Sequence, residues 1–226
     1  MKLQDIRNIS GKIRLLSGLH IGAGREEIEI GGLDQPIIKH PMNGAPYIPG
    51  SSIKGKMRSL LETYYFVENP ETRKAVVDNG SACNCSRADC PSCKIFGTSG
   101  AEKTQEIGPT RIIVRDALMS DHNRKQFEDG KLPMEVKYEN TIDRVRGTAL
   151  HPRPLERVPA GVEFDFHISF KVMEGDDEEL IDYVYKGLKL IELDALGGNS
   201  SRGCGHVVFE GVSCDGQEVD LNDIQL

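Results

Sequence analysis

Residues 162–172 alternate without a break. Val162, Phe164, Phe166, Ile168, Phe170 and Val172 fall on one side, and Glu163, Asp165, His167, Ser169 and Lys171 on the other. That period of two marks a half-buried β-strand. It is followed by residues 177–196, where Leu180, Val184, Leu188 and Ile191 stand at helical spacing behind an acidic first turn that the helix dipole favours. Strands are expected at 10–19, at 111–118 around Ile112, Ile113 and Val114, and at 207–212. A helix is expected from Ser51 onward. The order strand, helix, strand, strand, helix, strand predicts an α+β chain with the split βαβ, or ferredoxin-like (RRM-like), arrangement on which many RNA-binding domains are built.

Three insertions interrupt this frame, and 1–226 is read as one domain carrying them. Residues 21–50 form a Gly- and Pro-rich loop. Residues 67–110 hold four of the six cysteines, and residues 119–161 separate two strands that need only a short hairpin. Connections this long are uncommon unless they carry function or structure of their own. Large apolar residues are sparse in the third, which predicts a protruding arm rather than a packed subdomain.

The segment Pro46-Tyr-Ile-Pro-Gly-Ser-Ser-Ile-Lys-Gly-Lys-Met-Arg-Ser-Leu-Leu-Glu62 carries the first chemical signal. A Pro-Gly turn delivers Ser51 and Ser52 to a helix N-terminus, with Lys54, Lys56 and Arg58 on the turns behind it. Ile53, Met57, Leu60 and Leu61 supply the apolar face. Unpaired N–H groups, the positive end of a helix dipole, two hydroxyls and three cations make a phosphate-binding surface. A capped amphipathic helix with solvated cations is the plainer alternative. Gly50-x4-Gly55-Lys56 matches the start of a nucleotide-binding P-loop, but Met57 stands where Ser or Thr would hold magnesium, and no buried apolar strand precedes it.

A second glycine-rich segment, Gly197-Gly-Asn-Ser-Ser-Arg-Gly-Cys-Gly205, joins a helix to a strand. Glycines there let the backbone approach an anion closely, and Arg202 adds a planar cationic fork. A flexible connector is the alternative.

Cys83-x-Cys85-x4-Cys90-x2-Cys93 has metal-binding spacing. Cys90 and Cys93 form a two-residue knuckle, and Cys83 and Cys85 complete a tetrahedral thiolate set of the kind that holds structural zinc. Unligated thiols or a redox pair are the alternative, and His40 or His122 could displace one thiol.

At 226 residues and 38% hydrophobic content the chain can bury a sizeable core. It contains no apolar run of the ~20 residues that cross a bilayer, and its N-terminal segment is polar, so a cytoplasmic protein with no membrane partner is expected. The net charge of −7 argues against a nucleic-acid partner only if it is spread evenly. Ten of the acids lie in 174–182 and 215–223, and without them the remainder is net positive.

The chain resembles the RAMP superfamily of CRISPR proteins, specifically the backbone subunit of type III-A (Csm) effector complexes. The likeness is carried by His20-Ile-Gly-Ala-Gly24, Gly31-Gly-Leu-Asp-Gln-Pro36, the Tyr47–Arg58 segment, Cys90-Pro-Ser-Cys-Lys-Ile-Phe-Gly97, Glu139-Asn-Thr-Ile-Asp-Arg144, Glu156-Arg-Val-Pro159 and the glycine loop. The backbone subunit of type III-B complexes is the nearest competitor. The resemblance implies a modified ferredoxin-like palm holding guide RNA through Ser51, Ser52, Lys54, Arg58 and Arg202, with Arg144 a further RNA contact on the arm. It implies a zinc-bearing insertion, a thumb at 119–161, head-to-tail self-association along the guide, and other Csm subunits as partners. It also implies that Asp34 cleaves complementary target RNA with magnesium or another divalent ion. From the residues alone, an Asp in a Gly-Gly-Leu-Asp loop also fits a turn. A non-catalytic RNA scaffold, a metal-independent guide-processing nuclease using His20, and a nucleotide binder are the other functions to be weighed.

Overall fold

The computed structural model describes residues 2–24, 35–98 and 107–226. The chain runs through β1 (Leu3–Leu15), β2 (Tyr47–Ile48) and α1 (Gly50–Tyr64), then the short helices α2 (Pro70–Arg73) and α3 (Pro91–Phe96). Next come β3 (Ile112–Val114), β4 (Ala117–Met119), α4 (Asp121–Glu128), β5 (Glu135–Ile142) and β6 (Ala149–Arg157). The chain closes with β7 (Glu163–Met173), α5 (Asp182–Leu193), β8 (Val207–Cys214) and β9 (Gln217–Glu218). Among the described residues one sheet has the order β2-β4-β7-β1-β8-β9, with β3 also on β7, and β5–β6 form a separate ladder.

The alternation in β7 does what its period requires. Phe164, Phe166, Ile168 and Phe170 are buried, together with Ile9, Ile13 and Leu15 of β1 and Val207, Phe209 and Val212 of β8. The apolar stripes of two helices join the same core, Ile53, Met57 and Leu61 from α1 and Val184, Leu188 and Ile191 from α5. Truncating a buried Phe of this kind to Ala costs about 3–5 kcal/mol.

Four details differ from the sequence reading. β1 begins at Leu3 rather than near residue 10; Leu3 and Ile6 are exposed, so its first half shows no burial period, yet it pairs with β7 from Leu3↔Met173 to Arg14↔Glu163. The strand expected at 111–118 breaks between β3 and β4, and the Asp116 carboxylate in the break accepts the Gly50 N–H at 2.8 Å, at the start of α1. The helix expected at 177–196 is α-helical from Asp182, after a tighter turn at Glu178–Ile181. The third insertion is not all arm. Ser120 caps α4, and Phe127, Leu132 and Met134 pack on the core, leaving β5–β6 as the projecting hairpin.

Candidate functional site

The cysteine-rich insertion is assembled by local capping. Asn69 accepts from the Glu71 and Thr72 N–H groups to start α2, and Pro91 stands in the first turn of α3 directly after Cys90. The Sγ atoms of Cys83, Cys85, Cys90 and Cys93 all lie within 4.8 Å of one another. The close pairs, Cys85–Cys93 at 3.7 Å and Cys83–Cys90 and Cys83–Cys93 at 3.9 Å, match a tetrahedral thiolate site. Metal–sulfur bonds of about 2.3 Å give an edge of about 3.8 Å. Hydrogen bonds from Cys90 and Cys93 hold the Cys83 thiol well below its usual range, while the bond to Cys83 pushes Cys90 up to about 12 and raises Cys93 as well. The four residues can therefore hold a metal such as zinc, and among the described residues no histidine joins the set.

Glu62, near the end of α1, anchors this insertion. It is 2% exposed, and its Oε1 accepts from Arg58 Nε at 2.8 Å, from the Cys83 N–H at 3.1 Å and from the Ser92 hydroxyl. Arg58 also donates to the Cys83 carbonyl and lies 5.9 Å from the centre of the Phe96 ring. Part of the Arg58 guanidinium expected at a phosphate thus holds the insertion instead.

The start of α1 has no cap from its own flanking residue Pro49 and no acid in its first turn, but the Asp116 carboxylate accepts the Gly50 N–H there and partly compensates the positive dipole end. Ser51 is exposed, Ser52 half-buried, and the Pro49 carbonyl accepts from the Ser52 and Ile53 N–H groups. Lys54 is half-buried, and burial together with the Arg58 charge lowers its pKa. Lys56 pairs with Asp194 at 2.6 Å, which ties α1 to the end of α5.

Around the base of the β5–β6 hairpin, segments distant in sequence meet. Leu19 pairs with Val158, and His20 Nδ1 lies 2.8 Å from the Glu156 carbonyl. Gly22 pairs with Ile37, so the two ends at which residues 25–34 join the described chain lie side by side. The Gln35 carbonyl accepts from the Glu156 N–H at 3.2 Å. The Glu156 carboxylate, on a residue 5% exposed, accepts the Ile37 N–H at 3.0 Å and Lys39 Nζ at 2.7 Å.

The glycine loop closes the other side. Gly198 N–H donates to the His20 carbonyl at 2.8 Å. A Cβ on Gly197 (φ +79°) would fall 2.5 Å from that carbonyl oxygen, and one on Gly205 (φ +82°) would fall 2.0 Å from the Leu196 oxygen, so both turns need glycine. Arg202 pairs with Glu139 of β5, and Lys137 donates to the Arg202 carbonyl at 2.6 Å. Arg157 binds Glu135 through two hydrogen bonds, at 2.6 and 2.8 Å. Arg144 is exposed in the turn at the far end of the ladder, which Asp143 shapes by accepting the Val145 and Arg146 N–H groups.

Asp34 lies outside the described residues. The structure brings together the four cysteines, places Lys54 beside Arg58, and sets Arg202 against the hairpin. Sequence reasoning assigned no role to Glu62, Asp116, Glu139 or Glu156. Glu62 left a trace in its spacing, four residues after Arg58, at which helical charges meet, while Glu139 and Glu156 stood only within the motifs that carry the likeness.

Comparison with known proteins bears on the same segments. The RAMP superfamily model matches residues 12–208. The chain is 41% identical to the CRISPR system Cms endoribonuclease Csm3 of Methanothermobacter thermautotrophicus, over 94% of this chain and 86% of that protein. It is 39% identical to the protein of the same name from Streptococcus thermophilus, over 89% of this chain and 86% of that one. Among solved structures, the Csm3-Csm4 subcomplex of the type III-A CRISPR-Cas interference complex superposes with a TM-score of 0.62 at 28% identity, covering 99% of this chain and 94% of the matched one.

Proposed function

The chain belongs to the RAMP superfamily, in the Csm3 endoribonuclease family of type III-A CRISPR systems, and from that premise we propose how its parts divide the work. It is a backbone subunit and an endoribonuclease. The sheet with α1 and α5 on one face is a modified ferredoxin-like palm, a reading supported by the β4-β7-β1-β8 order. The whole chain is one domain that works in the cytoplasm. The α1 N-terminus, Lys54, Arg58 and the Arg202 loop hold guide-RNA phosphates without reading sequence, as a reusable guide holder requires. Zinc in the four-cysteine set is structural, because four thiolates leave no open position for chemistry.

Copies stack head to tail along the guide, with other Csm subunits at the ends to limit an otherwise open helical assembly. The β5–β6 hairpin is the thumb. It kinks the guide–target duplex at regular intervals, with Arg144 at its turn meeting RNA. Splaying the target lines up a ribose 2′-oxygen with the neighbouring phosphorus and its 5′-oxygen leaving group. Asp34 takes the 2′-OH proton, the 2′-oxygen bonds to phosphorus as the bond to the 5′-oxygen breaks, and that oxygen leaves with a proton from water, giving a cyclic phosphate and a 5′-hydroxyl. Asp34 and RNA phosphates would hold a divalent ion, magnesium or another, which would supply charge stabilisation at the scissile phosphate.

One observation carries this reading. Four of the motifs behind the family likeness, those at His20, Gln35–Pro36, Glu156–Pro159 and the glycine loop, are spread over more than a hundred residues and meet at the hairpin base, where Gln35, the residue after Asp34, is hydrogen-bonded. The test is cleavage by an assembled complex carrying Asp34→Ala. Loss of cleavage with target binding retained is expected, and wild-type cleavage would return Asp34 to the role of a turn residue.

A further inference from the structure

We propose that Glu62 is a positioning residue through which the cysteine set and the RNA-facing side of α1 hold each other in place; the RNA half of this rests on the function proposed above. A carboxylate as deeply buried as Glu62 is unfavourable unless its hydrogen bonds are complete. Its Oε1 collects three, and they come from both halves of the thiol set and from the helix. The Cys83 N–H belongs to the first half, the Ser92 hydroxyl sits inside the Cys90–Cys93 knuckle, and Arg58 Nε comes from the preceding turn of α1. The carboxylate therefore fixes the spacing of the two halves that must converge on one ion.

The link runs in both directions. Cys83 offers its N–H to Glu62 and its carbonyl to Arg58, so one residue of the metal set is gripped through both of its flanking peptides by two side chains of α1. Arg58 also lies near Phe96 at the end of α3, the helix that carries the knuckle. A guanidinium has five N–H donors. The bonds to Glu62 and Cys83 orient it at a cleft of about 320 Å³ lined by Gly55, Ser59, Gly80 and Ser81. If the four sulfurs spread, the Cys83 peptide moves and the orientation of Arg58 is lost with it. Partners outside a ligand shell commonly change metal affinity by about 10–100-fold when removed.

The experiment uses the full chain and has two readouts. Zinc affinity is measured by competition with a chromogenic chelator, and binding of unrelated single-stranded RNAs is followed across a salt series, with and without zinc. Glu62→Ala and Glu62→Gln are expected to hold zinc about 10–100-fold more weakly than wild type. Ser92→Ala removes one neutral hydrogen bond with no charge left behind, and should shift zinc affinity less, in the same direction. Stripping zinc from wild type should weaken RNA binding and lower the salt slope by about one counterion, whereas stripping it from Arg58→Ala should change RNA binding little. Unchanged zinc affinity in both Glu62→Gln and Ser92→Ala would overturn the positioning role. An equal loss of RNA binding on zinc removal in wild type and Arg58→Ala would overturn the link. Wild-type RNA affinity in zinc-loaded Arg58→Ala would overturn the RNA-binding reading of Arg58, a failure separable from the zinc result.

Discussion

The two insertions that leave the sheet are held in opposite ways. The cysteine-rich one is pinned at its entry by Glu62 and at its exit by Arg111, which is 1% exposed and forms a bidentate pair with Asp176. Arg111 also donates to the Ile107 and Pro109 carbonyls. The β5–β6 hairpin is propped at its base by Glu156, Arg157 and Arg202, while Tyr138, Ile142 and Val145 stand out of it 64%, 57% and 96% exposed. Buried charges with complete hydrogen bonds fix one conformation, and exposed apolar groups on a two-stranded ladder await a surface to cover them. The first insertion is fixed by buried charge pairs, and the second leaves apolar side chains open to solvent.

The comparison can be broken most severely at the metal set. Replacing Cys90 and Cys93 together by Ser should take zinc content from about one per chain to none and unfold the insertion, because binding energy here is folding energy. Elemental analysis of protein prepared without chelator checks this, and zinc-free wild-type protein would remove the site.

Next in size is the exit anchor. Arg111→Met leaves Asp176 buried and unpaired, which costs about 3–5 kcal/mol of stability. Burial alone raises the Asp176 carboxyl, but hydrogen bonds from Arg111 and the Met173 N–H outweigh it and hold the carboxyl below its ordinary range. Its stabilisation is therefore present above the unfolded carboxylate value of about 3.9 and lost as pH falls through the lower folded value. Denaturation at pH 7 and below pH 4 should show the mutational effect shrinking in acid.

Smaller again is Lys54→Ala, which should weaken binding of unrelated RNAs about equally and lower the salt slope by roughly one counterion. A loss confined to one RNA sequence would contradict a guide holder. Smallest in stability are Tyr138→Ser and Val145→Ser on the hairpin, each expected within about 0.5 kcal/mol of wild type. Target cleavage by complexes carrying them should nevertheless fall, and unchanged cleavage would remove the hairpin from the site.

The parts legible in the sequence were those whose partners are close along the chain or whose period is long. β7 showed itself by alternation, α1 and α5 by their apolar stripes, and the four cysteines by spacing, and apart from the later start of α5 at Asp182 they are where those patterns put them. The first half of β1 had no readable period because its apolar residues are exposed. α4 stayed hidden in a segment whose apolar residues are few but each well placed. Glu156 reaches Ile37 across 119 residues, and no local pattern announces such a pairing. The buried acids that organise the site looked, in one dimension, like surface charges.

Single-atom changes in the target RNA show whether a target ribose held open at the hairpin base attacks its own phosphate. An assembled wild-type complex would be given targets with one deoxyribose placed in turn on the 5′ side of each cut. Each substitution is expected to silence its own cut and leave the others at their usual rate, with the remaining upstream fragments ending in a cyclic phosphate. Cutting that continues at the deoxyribose site would contradict attack by the target ribose, since the attacking oxygen would then have to come from elsewhere.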